Sequence, residues 1–271
     1  MNIGVFDSGL GGLSVFREII KELPQYNYIY LGDNARVPYG GRSRDLIYQL
    51  TKDAVDFLFQ NNCQLIILAC NTSSANALER LQQEYLPHNY PDRRILGVIS
   101  PVVEHVVSEN IQRIGIMATR ATVASDSYPK QIKKLASHIQ IFQVACPLLT
   151  PMIEEDEMEW EGFDLLIQKY IHPLLERKID GLILGSTHYG LIANKIKAHL
   201  PNSVKIISQG EVTAKKLREY LKRHPEMEKK LTKNYKRIYF VTDLNQRFEK
   251  LTKLFLGEHF SKGVTLQLVN I

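Results

Sequence analysis

The feature that most constrains the fold of this chain is an alternation of short apolar runs with longer amphipathic stretches. The apolar runs are rich in β-branched residues and typical of strands; they lie at residues 3–6, 28–31, 65–69, 113–117, 139–144, 181–184, 204–207 and 238–241. The stretches with helical spacing lie at residues 13–23, 44–60, 75–84, 102–108, 128–135, 158–177, 191–199 and 211–223. This alternation predicts an α/β fold with mostly parallel sheets flanked by helices.

Two segments of the first half recur in the second half in the same order. The matched pairs are residues 3–8 with 114–119 and residues 67–72 with 183–188. We therefore predict two pseudo-symmetric domains with the active site between them. Their expected limits are residues 1–97, completed by 209–271, for the first domain and residues 98–208 for the second.

Small and polar residues directly follow several predicted strands. They lie at residues 7–12, 32–41, 70–74 and 185–190. In open parallel sheets, ligands bind beyond the carboxyl ends of the strands. We therefore expect the functional site at these four strand tips.

Length and composition exclude several classes of protein. With 271 residues and 44% apolar residues, the chain has ample material for a packed core. Its three cysteines, Cys63, Cys70 and Cys146, do not suit a disulfide-rich secreted scaffold. No apolar run reaches the roughly 18–20 residues of a membrane span, and the N-terminus lacks the pattern of a signal peptide. We expect a cytoplasmic protein that does not enter the membrane.

Positive charge is concentrated near the C-terminus. Residues 211–271 contain 14 Lys or Arg against 7 Asp or Glu, whereas the rest of the chain contains 20 against 22. Such a segment could attract nucleic acid. Because acidic residues are interspersed and aromatic residues suited to stacking are few, a solvated helix face explains it better, and we do not expect nucleic acid as a partner.

Three residues at the predicted strand tips have side chains suited to proton transfer. Cys70 precedes a predicted helix, whose N–H groups would stabilise a thiolate and lower the pKa of the thiol; the alternative is a small buried apolar residue. Asp7 precedes a glycine-rich turn, where it would assist proton transfer or simply cap a helix. His188 would act as an acid or base, or as an ordinary hydrogen-bonded histidine.

Common cofactor motifs do not fit the sequence. The glycine-rich turn at residues 9–12 fails the dinucleotide fingerprint because Ser14 stands where the third glycine or alanine belongs. A phosphate-binding Gly-x-x-x-x-Gly-Lys-Ser/Thr loop is absent, and so are Cys-x-x-Cys and His-Glu-x-x-His pairs. We predict no metal site.

The strand-tip segments resemble the cofactor-independent glutamate racemases of the aspartate/glutamate racemase superfamily. The matching segments run in family order and lie at residues 4–13, 32–40, 69–75, 145–154 and 187–189. The resemblance implies an isomerase that needs no cofactor and interconverts L- and D-glutamate for peptidoglycan synthesis. It also implies a homodimer.

The family's reaction requires two acid/base groups on opposite faces of the α-carbon. The resemblance implies that Cys70 is one of them, assisted by Asp7, and that His188 and Glu154 assist the opposite side. It further implies that substrate is held by a set of small and polar residues, namely Asp7, Ser8, Tyr39, Gly40, Asn71, Thr72, Thr119, Thr122, Thr187 and His188.

The sequence departs from the family at the second acid/base group, because Ser186 stands where the family has a cysteine. Three explanations remain: a replacement introduced to hold substrate unreacted, a natural change that weakened or repurposed the enzyme, or a natural change rescued by His188. Ser100 and Gly190 also depart from the family pattern, which favours natural divergence. Besides an impaired racemase, a binding or regulatory protein on this scaffold and an enzyme using a single thiol stay open.

Overall fold

The computed structural model describes residues 1–257, 260 and 262–271. Its strands are β1 Asn2–Asp7, β2 Tyr28–Gly32, β3 Cys63–Leu68, β4 Arg94–Gly97, β5 Arg113–Ala118, β6 Gln140–Ala145, β7 Gly181–Gly185, β8 Lys205–Ile207, β9 Arg237–Val241 and β10 Leu266–Leu268. Its α-helices are α1 Leu13–Glu22, α2 Arg44–Gln60, α3 Asn71–Asn76, α4 Leu78–Arg80, α5 Leu86–Asn89, α6 Ile99–Ser108, α7 Arg120–Ser125, α8 Ser127–Leu135, α9 Leu149–Glu154, α10 Glu161–Glu176, α11 Ala193–Ala198, α12 Gln209–Arg223, α13 Pro225–Glu228 and α14 Gln246–Leu256. Shorter turns of 3₁₀ helix lie at Tyr39–Gly41 and Thr187–Gly190, and a π-helical turn lies at Leu81–Tyr85.

The described strands form two parallel sheets flanked by helices, which confirms the predicted α/β class. The first sheet has the order β10-β9-β2-β1-β3-β4, and the second has the order β6-β5-β7-β8. Neighbouring strands in both sheets run parallel. Because all strands of a sheet point the same way, their carboxyl ends meet at one edge.

The same strand order occurs in both sheets. In the order β2-β1-β3-β4 the first strand lies between the second and the third, and β6-β5-β7-β8 repeats this arrangement. The tips of β3 and β7 therefore occupy equivalent positions. This repetition agrees with the internal sequence similarity, while the domain limits at residues 97 and 208 stay a prediction.

Two strands and several helices differ from the sequence prediction. Strands β4 and β10 have four and three residues and lie at the edges of the first sheet, so neither provides a long apolar run. The helix predicted at residues 75–84 begins earlier, at Asn71, because Cys70 caps it, and it is broken into shorter pieces. The helices α5, α7, α9, α13 and α14 were not predicted.

An aromatic cluster joins the first strands to the C-terminal segment. The Phe16 ring of α1 lies 5.4 Å from the ring of Tyr28, 5.7 Å from that of Tyr30 and 5.8 Å from that of Tyr239, centroid to centroid. All four side chains are buried. Tyr30 also donates a hydrogen bond of 2.9 Å to the Gly9 carbonyl, so this core cluster supports the glycine-rich turn after β1.

The C-terminal segment packs against both parts of the molecule. Strand β9 pairs with β2 in the first sheet. Helix α12 contacts α1 and α6, and α14 contacts α1. None of the helices in the described ranges combines the length and apolar character that a membrane span requires.

We predict that Phe16→Ala lowers the free energy of unfolding by about 3–5 kcal/mol, because it leaves a cavity among three aromatic rings. Urea denaturation with an unchanged m-value would measure this loss. The control is Leu165→Ala on the exposed face of α10, where the side chain is 66% exposed, and its effect should stay within about 0.5 kcal/mol. Equal losses in the two variants would contradict the assignment of the aromatic cluster to the core.

Candidate active site

A cavity of 350 Å³ lies where the strand tips of the two sheets meet. Residues after β1, β2 and β3 line one side, and residues after β5, β6 and β7 line the other. Of the predicted site residues, the cavity wall includes Ser8, Tyr39, Gly40, Cys70, Asn71, Thr72, Thr119, Glu154, Ser186, Thr187 and His188. The cavity therefore brings together residues from both repeated halves.

Cys70 caps the helix that follows β3. Its side chain is 5% exposed and accepts a hydrogen bond of 3.4 Å from the Ser73 backbone N–H. The Ser8 hydroxyl lies 3.3 Å from the Cys70 Sγ. The thiol thus lies at the cavity wall within a small set of polar contacts.

The pKa of the Cys70 thiol is raised, which is opposite to the sequence expectation. Burial is the largest cause, and the Asp7 carboxylate adds to it. Hydrogen bonds with Ser8 and Ser73 lower the pKa, but by less than burial and Asp7 raise it. The expected thiolate stabilisation at the helix N-terminus exists, but removal of the thiol from water outweighs it.

Asp7 lies beneath the glycine-rich turn and is absent from the cavity wall. Its Oδ2 accepts a hydrogen bond of 3.0 Å from the Gly9 N–H, and its Oδ1 has no hydrogen-bond partner among the described residues. Burial raises the pKa of Asp7, and the charge of nearby His188 lowers it. Asp7 therefore interacts electrostatically with both Cys70 and His188, and a role as substrate ligand is less suited to it than a role behind the cavity.

The glycines of this turn are needed for close packing. A Cβ atom at Gly12 would lie 2.4 Å from the Asp7 Cβ, and one at Gly11 would lie 2.5 Å from the His188 ring. None of the glycines in this turn has a positive φ angle. Its glycines instead let the first half of the chain approach the second.

Ser186 directly follows β7, at the position equivalent to that of Cys70 after β3. Its Oγ accepts a hydrogen bond of 3.4 Å from the His188 backbone N–H. The ring of His188 has other partners: Nε2 lies 2.9 Å from Glu154 Oε1, and Nδ1 lies 3.4 Å from Thr187 Oγ1. This geometry gives no support to the explanation in which the His188 ring activates Ser186.

The hydroxyl groups of three threonines form a hydrogen-bonded chain that joins the two halves. The Oγ1 atoms of Thr72 and Thr119 lie 3.0 Å apart, and Thr119 donates a hydrogen bond of 3.0 Å to Thr122. Thr122 is fully buried and is absent from the cavity wall. The sequence prediction of Thr122 as a substrate ligand is therefore not supported; it lies behind Thr119.

Tyr39 and Gly40 line the cavity, but the Tyr39 hydroxyl points to a different partner. It donates to Asp33, which also receives hydrogen bonds of 2.7 Å from Arg36 and 2.9 Å from Thr242. A Cβ atom at Gly40 would lie 2.8 Å from the Thr119 Cβ. We infer that Tyr39 and Gly40 contribute to the cavity mainly by forming part of its wall, because the Tyr39 hydroxyl is bound to Asp33.

The sequence analysis missed several residues that support the site. Gln209 and Tyr128 form hydrogen bonds with Asn71, and the Phe255 ring lies edge-on to the His188 ring at 5.1 Å. Cys146, to which the sequence analysis assigned no role, also lines the cavity. Gln209 and Phe255 belong to the C-terminal segment, and nothing local in their sequence points to a site made by distant strands.

Among the residues that the structure describes, no group of three or more His, Cys, Asp or Glu side chains is arranged to hold a metal ion. The proton-transfer candidates are instead single thiol, hydroxyl, imidazole and carboxyl groups around one cavity.

Comparisons with known proteins agree with this arrangement. The sequence profile of the Asp/Glu/Hydantoin racemase family matches residues 3–217. A glutamate racemase from Aquifex aeolicus is 36% identical over 269 residues, which is 99% of each chain. One from a Sulfurihydrogenibium species is 38% identical over 98% of each chain.

Solved structures give the same result. Glutamate racemase from Francisella tularensis in complex with D-glutamate is 33% identical, with a TM-score of 0.88 over 99% of this chain and 97% of that one. The RacE1 glutamate racemase of Bacillus anthracis is 32% identical, with a TM-score of 0.89 over 100% of this chain and 97% of that one.

The fold and the matched profile define an amino-acid racemase, which is an isomerase. Within that class, the chain belongs to the glutamate racemases of the Asp/Glu/Hydantoin racemase family.

We predict that Asp7→Asn lowers the pKa of the Cys70 thiol, because the thiolate no longer faces a buried like charge. The pH dependence of Cys70 alkylation by iodoacetamide, followed by mass spectrometry of the Cys70 peptide, should then shift to lower pH. Glu161→Gln, on the exposed surface of α10, is the control and should leave the midpoint unchanged. A midpoint that rises or stays constant in Asp7→Asn would show that the Asp7 carboxylate does not govern the ionisation of Cys70.

Proposed function

We propose that this cavity binds glutamate and that Cys70 and Ser186 face opposite sides of its α-carbon. The observation that supports this most directly is their placement after the equivalent strands β3 and β7, on the two sides of the same cavity. Cys70 removes the α-proton of D-glutamate, exchanges it with solvent and returns a solvent-derived proton to the same face, with Asp7 behind it. His188 and Glu154 support the Ser186 side.

The substrate's amine and two carboxylates are held by small and polar residues around the wall. Ser8, Asn71 and Thr72 serve from the first half, and Thr119 and Thr187 serve from the second. Tyr39 and Gly40 close the side of the cavity next to Thr119. No step of this proton exchange requires a cofactor.

Because of Ser186, only the face of the α-carbon next to Cys70 exchanges its proton efficiently in the proposed reaction. A serine hydroxyl is far less acidic than a thiol, so almost no alkoxide exists near pH 7 to remove an α-proton. Both ring nitrogens of His188 lie near other groups, which leaves Ser186 without a base among its described contacts. Loss of one acid/base group costs about 10²–10⁴-fold in rate. Net conversion between the enantiomers is therefore slow, while exchange on the Cys70 side persists.

The test is proton exchange in D₂O with each enantiomer, followed by NMR of the α-hydrogen and by chiral analysis. D-glutamate should exchange its α-proton with retained configuration, and L-glutamate should exchange far more slowly. Because burial raises the pKa of Cys70, the rate should rise with pH above neutrality. Fast net racemisation would contradict the proposed impairment, and absence of exchange with both enantiomers would contradict catalysis by Cys70.

Two cysteine substitutions sharpen this test. Ser186→Cys should restore exchange of L-glutamate and net racemisation, since a thiol then faces each side. Cys70→Ser should abolish exchange of D-glutamate. The matched control is Cys63→Ser in β3, whose side chain is buried away from the cavity; it should retain the exchange rate of the parent chain per folded molecule.

We further propose that the protein serves peptidoglycan synthesis in the cytoplasm by supplying D-glutamate, as the resemblance implies. A bacterium that requires external D-glutamate provides the test. Expression of Ser186→Cys should allow growth without the supplement, and expression of the parent chain should support growth poorly. Equal growth with both would contradict the limiting role of Ser186.

We propose that the protein is a homodimer, in line with the family resemblance. Sedimentation equilibrium should give twice the chain mass of 31.1 kDa, and addition of glutamate should not dissociate the species. A mass of one chain across micromolar concentrations would refute the dimer.

A further inference from the structure

A buried hydrogen-bonded network joins three separate segments beside the cavity. Its members are Asn71 at the start of α3, Tyr128 on α8 and Gln209 at the start of α12. Their exposed fractions are 3%, 0% and 5%. The network therefore links the first sheet's helices, the second sheet's helices and the C-terminal segment in one place.

The two amides of the network form a reciprocal pair. Asn71 Nδ2 donates to Gln209 Oε1 at 2.6 Å, and Gln209 Nε2 donates to Asn71 Oδ1 at 2.5 Å. The Tyr128 hydroxyl donates to Asn71 Oδ1 at 2.8 Å and accepts from Gln209 Nε2 at 2.6 Å. Each side chain thus contacts both of the others.

Donor and acceptor counts show what the network leaves over. A side-chain amide has two N–H donors and an oxygen that accepts two hydrogen bonds. The Asn71 oxygen is saturated by Gln209 and Tyr128, and Gln209 Nε2 uses both of its N–H groups. One N–H of Asn71 remains outside the network, and Asn71 lines the cavity.

Such a network restricts the Asn71 side chain more than packing alone. Turning the Asn71 amide by itself would place its NH₂ group against the donors of Gln209 and Tyr128 and lose buried hydrogen bonds, which is costly. In this orientation the network leaves one N–H of Asn71 for a ligand, and a donor suits a carboxylate.

We propose that Gln209 and Tyr128 are positioning residues that fix Asn71 as a donor to the side-chain carboxylate of bound glutamate. This inference rests on the proposed function, because it takes glutamate as the occupant of the cavity. A contact with a non-reacting carboxylate stabilises ground state and transition state alike, so its loss weakens binding and leaves the turnover rate nearly constant.

Two variants test the network. Tyr128→Phe removes the two hydrogen bonds of the hydroxyl, one of them to Asn71, and keeps the amide pair. Gln209→Met keeps the side-chain length and removes all three hydrogen bonds of the amide, two of them with Asn71. We expect the Kd for D-glutamate, measured by isothermal titration calorimetry, to rise about 3-fold in Tyr128→Phe and about 10-fold in Gln209→Met, in line with the usual net value of one or two hydrogen bonds. The KM of D-glutamate exchange should rise in parallel, with kcat changed less than twofold.

The matched control is Tyr28→Phe, which removes another buried tyrosine hydroxyl that donates to the Leu23 carbonyl at 2.6 Å, away from the cavity. It should lower the melting temperature and leave the Kd unchanged. If Tyr128→Phe and Gln209→Met also lower only the melting temperature, the network is merely structural and the inference fails. A rise in Kd that is matched by an equal fall in kcat would also overturn it.

The same measurements separate this inference from the proposed function. If the parent chain exchanges D-glutamate and the variants bind it as tightly as the parent, only the positioning role fails. If the parent chain binds D-glutamate but does not exchange its α-proton, the proposed catalysis by Cys70 is wrong. The change in Kd between parent and variants still tests the positioning role of the network. Absence of D-glutamate binding by the folded parent chain would overturn both.

Discussion

The close approach of the β1 turn to the β7 turn is the constraint on which the site depends. A side chain at Gly11 would collide with the His188 ring. The Ser14 hydroxyl lies 2.8 Å from the Gly11 carbonyl and 2.9 Å from that of Thr187, so it contacts both turns. Because these turns meet without large side chains between them, the residues beyond them can surround one small substrate. The serine that excludes a dinucleotide loop thus has a structural role in joining the halves.

The sequence predicted the strands that position the site, whereas its prediction for the pKa of Cys70 had the wrong direction. Long apolar runs such as those in β3 and β7 are local signals, and the polar residues after them lie where parallel-sheet geometry places them. The short edge strands β4 and β10 depend on pairing with a neighbour, which a local pattern does not reveal. The α/β class and the racemase family could therefore be predicted, and the full set of elements could not.

Residue environments differed from the predictions where distant parts of the chain determine them. The pKa of Cys70 depends on burial and on Asp7, which is 63 positions away in sequence but close in space. The burial of Thr122 and the contacts of the His188 ring likewise result from tertiary packing. The motif resemblance does not distinguish a residue at the cavity wall from one directly behind it.

The placement of α12, β9 and α14 has a consequence for synthesis of the protein. Gln209 holds Asn71, and Phe255 contacts the His188 ring, although both are made after all the strands of the second sheet. A nascent chain that has reached residue 208 already contains Cys70 and Ser186, yet it lacks the side chains that support their neighbours. The residues that line the cavity are all made by residue 188, and the side chains that support them belong to segments made later. The final arrangement of the proton-transfer groups therefore depends on segments that are made after all of them.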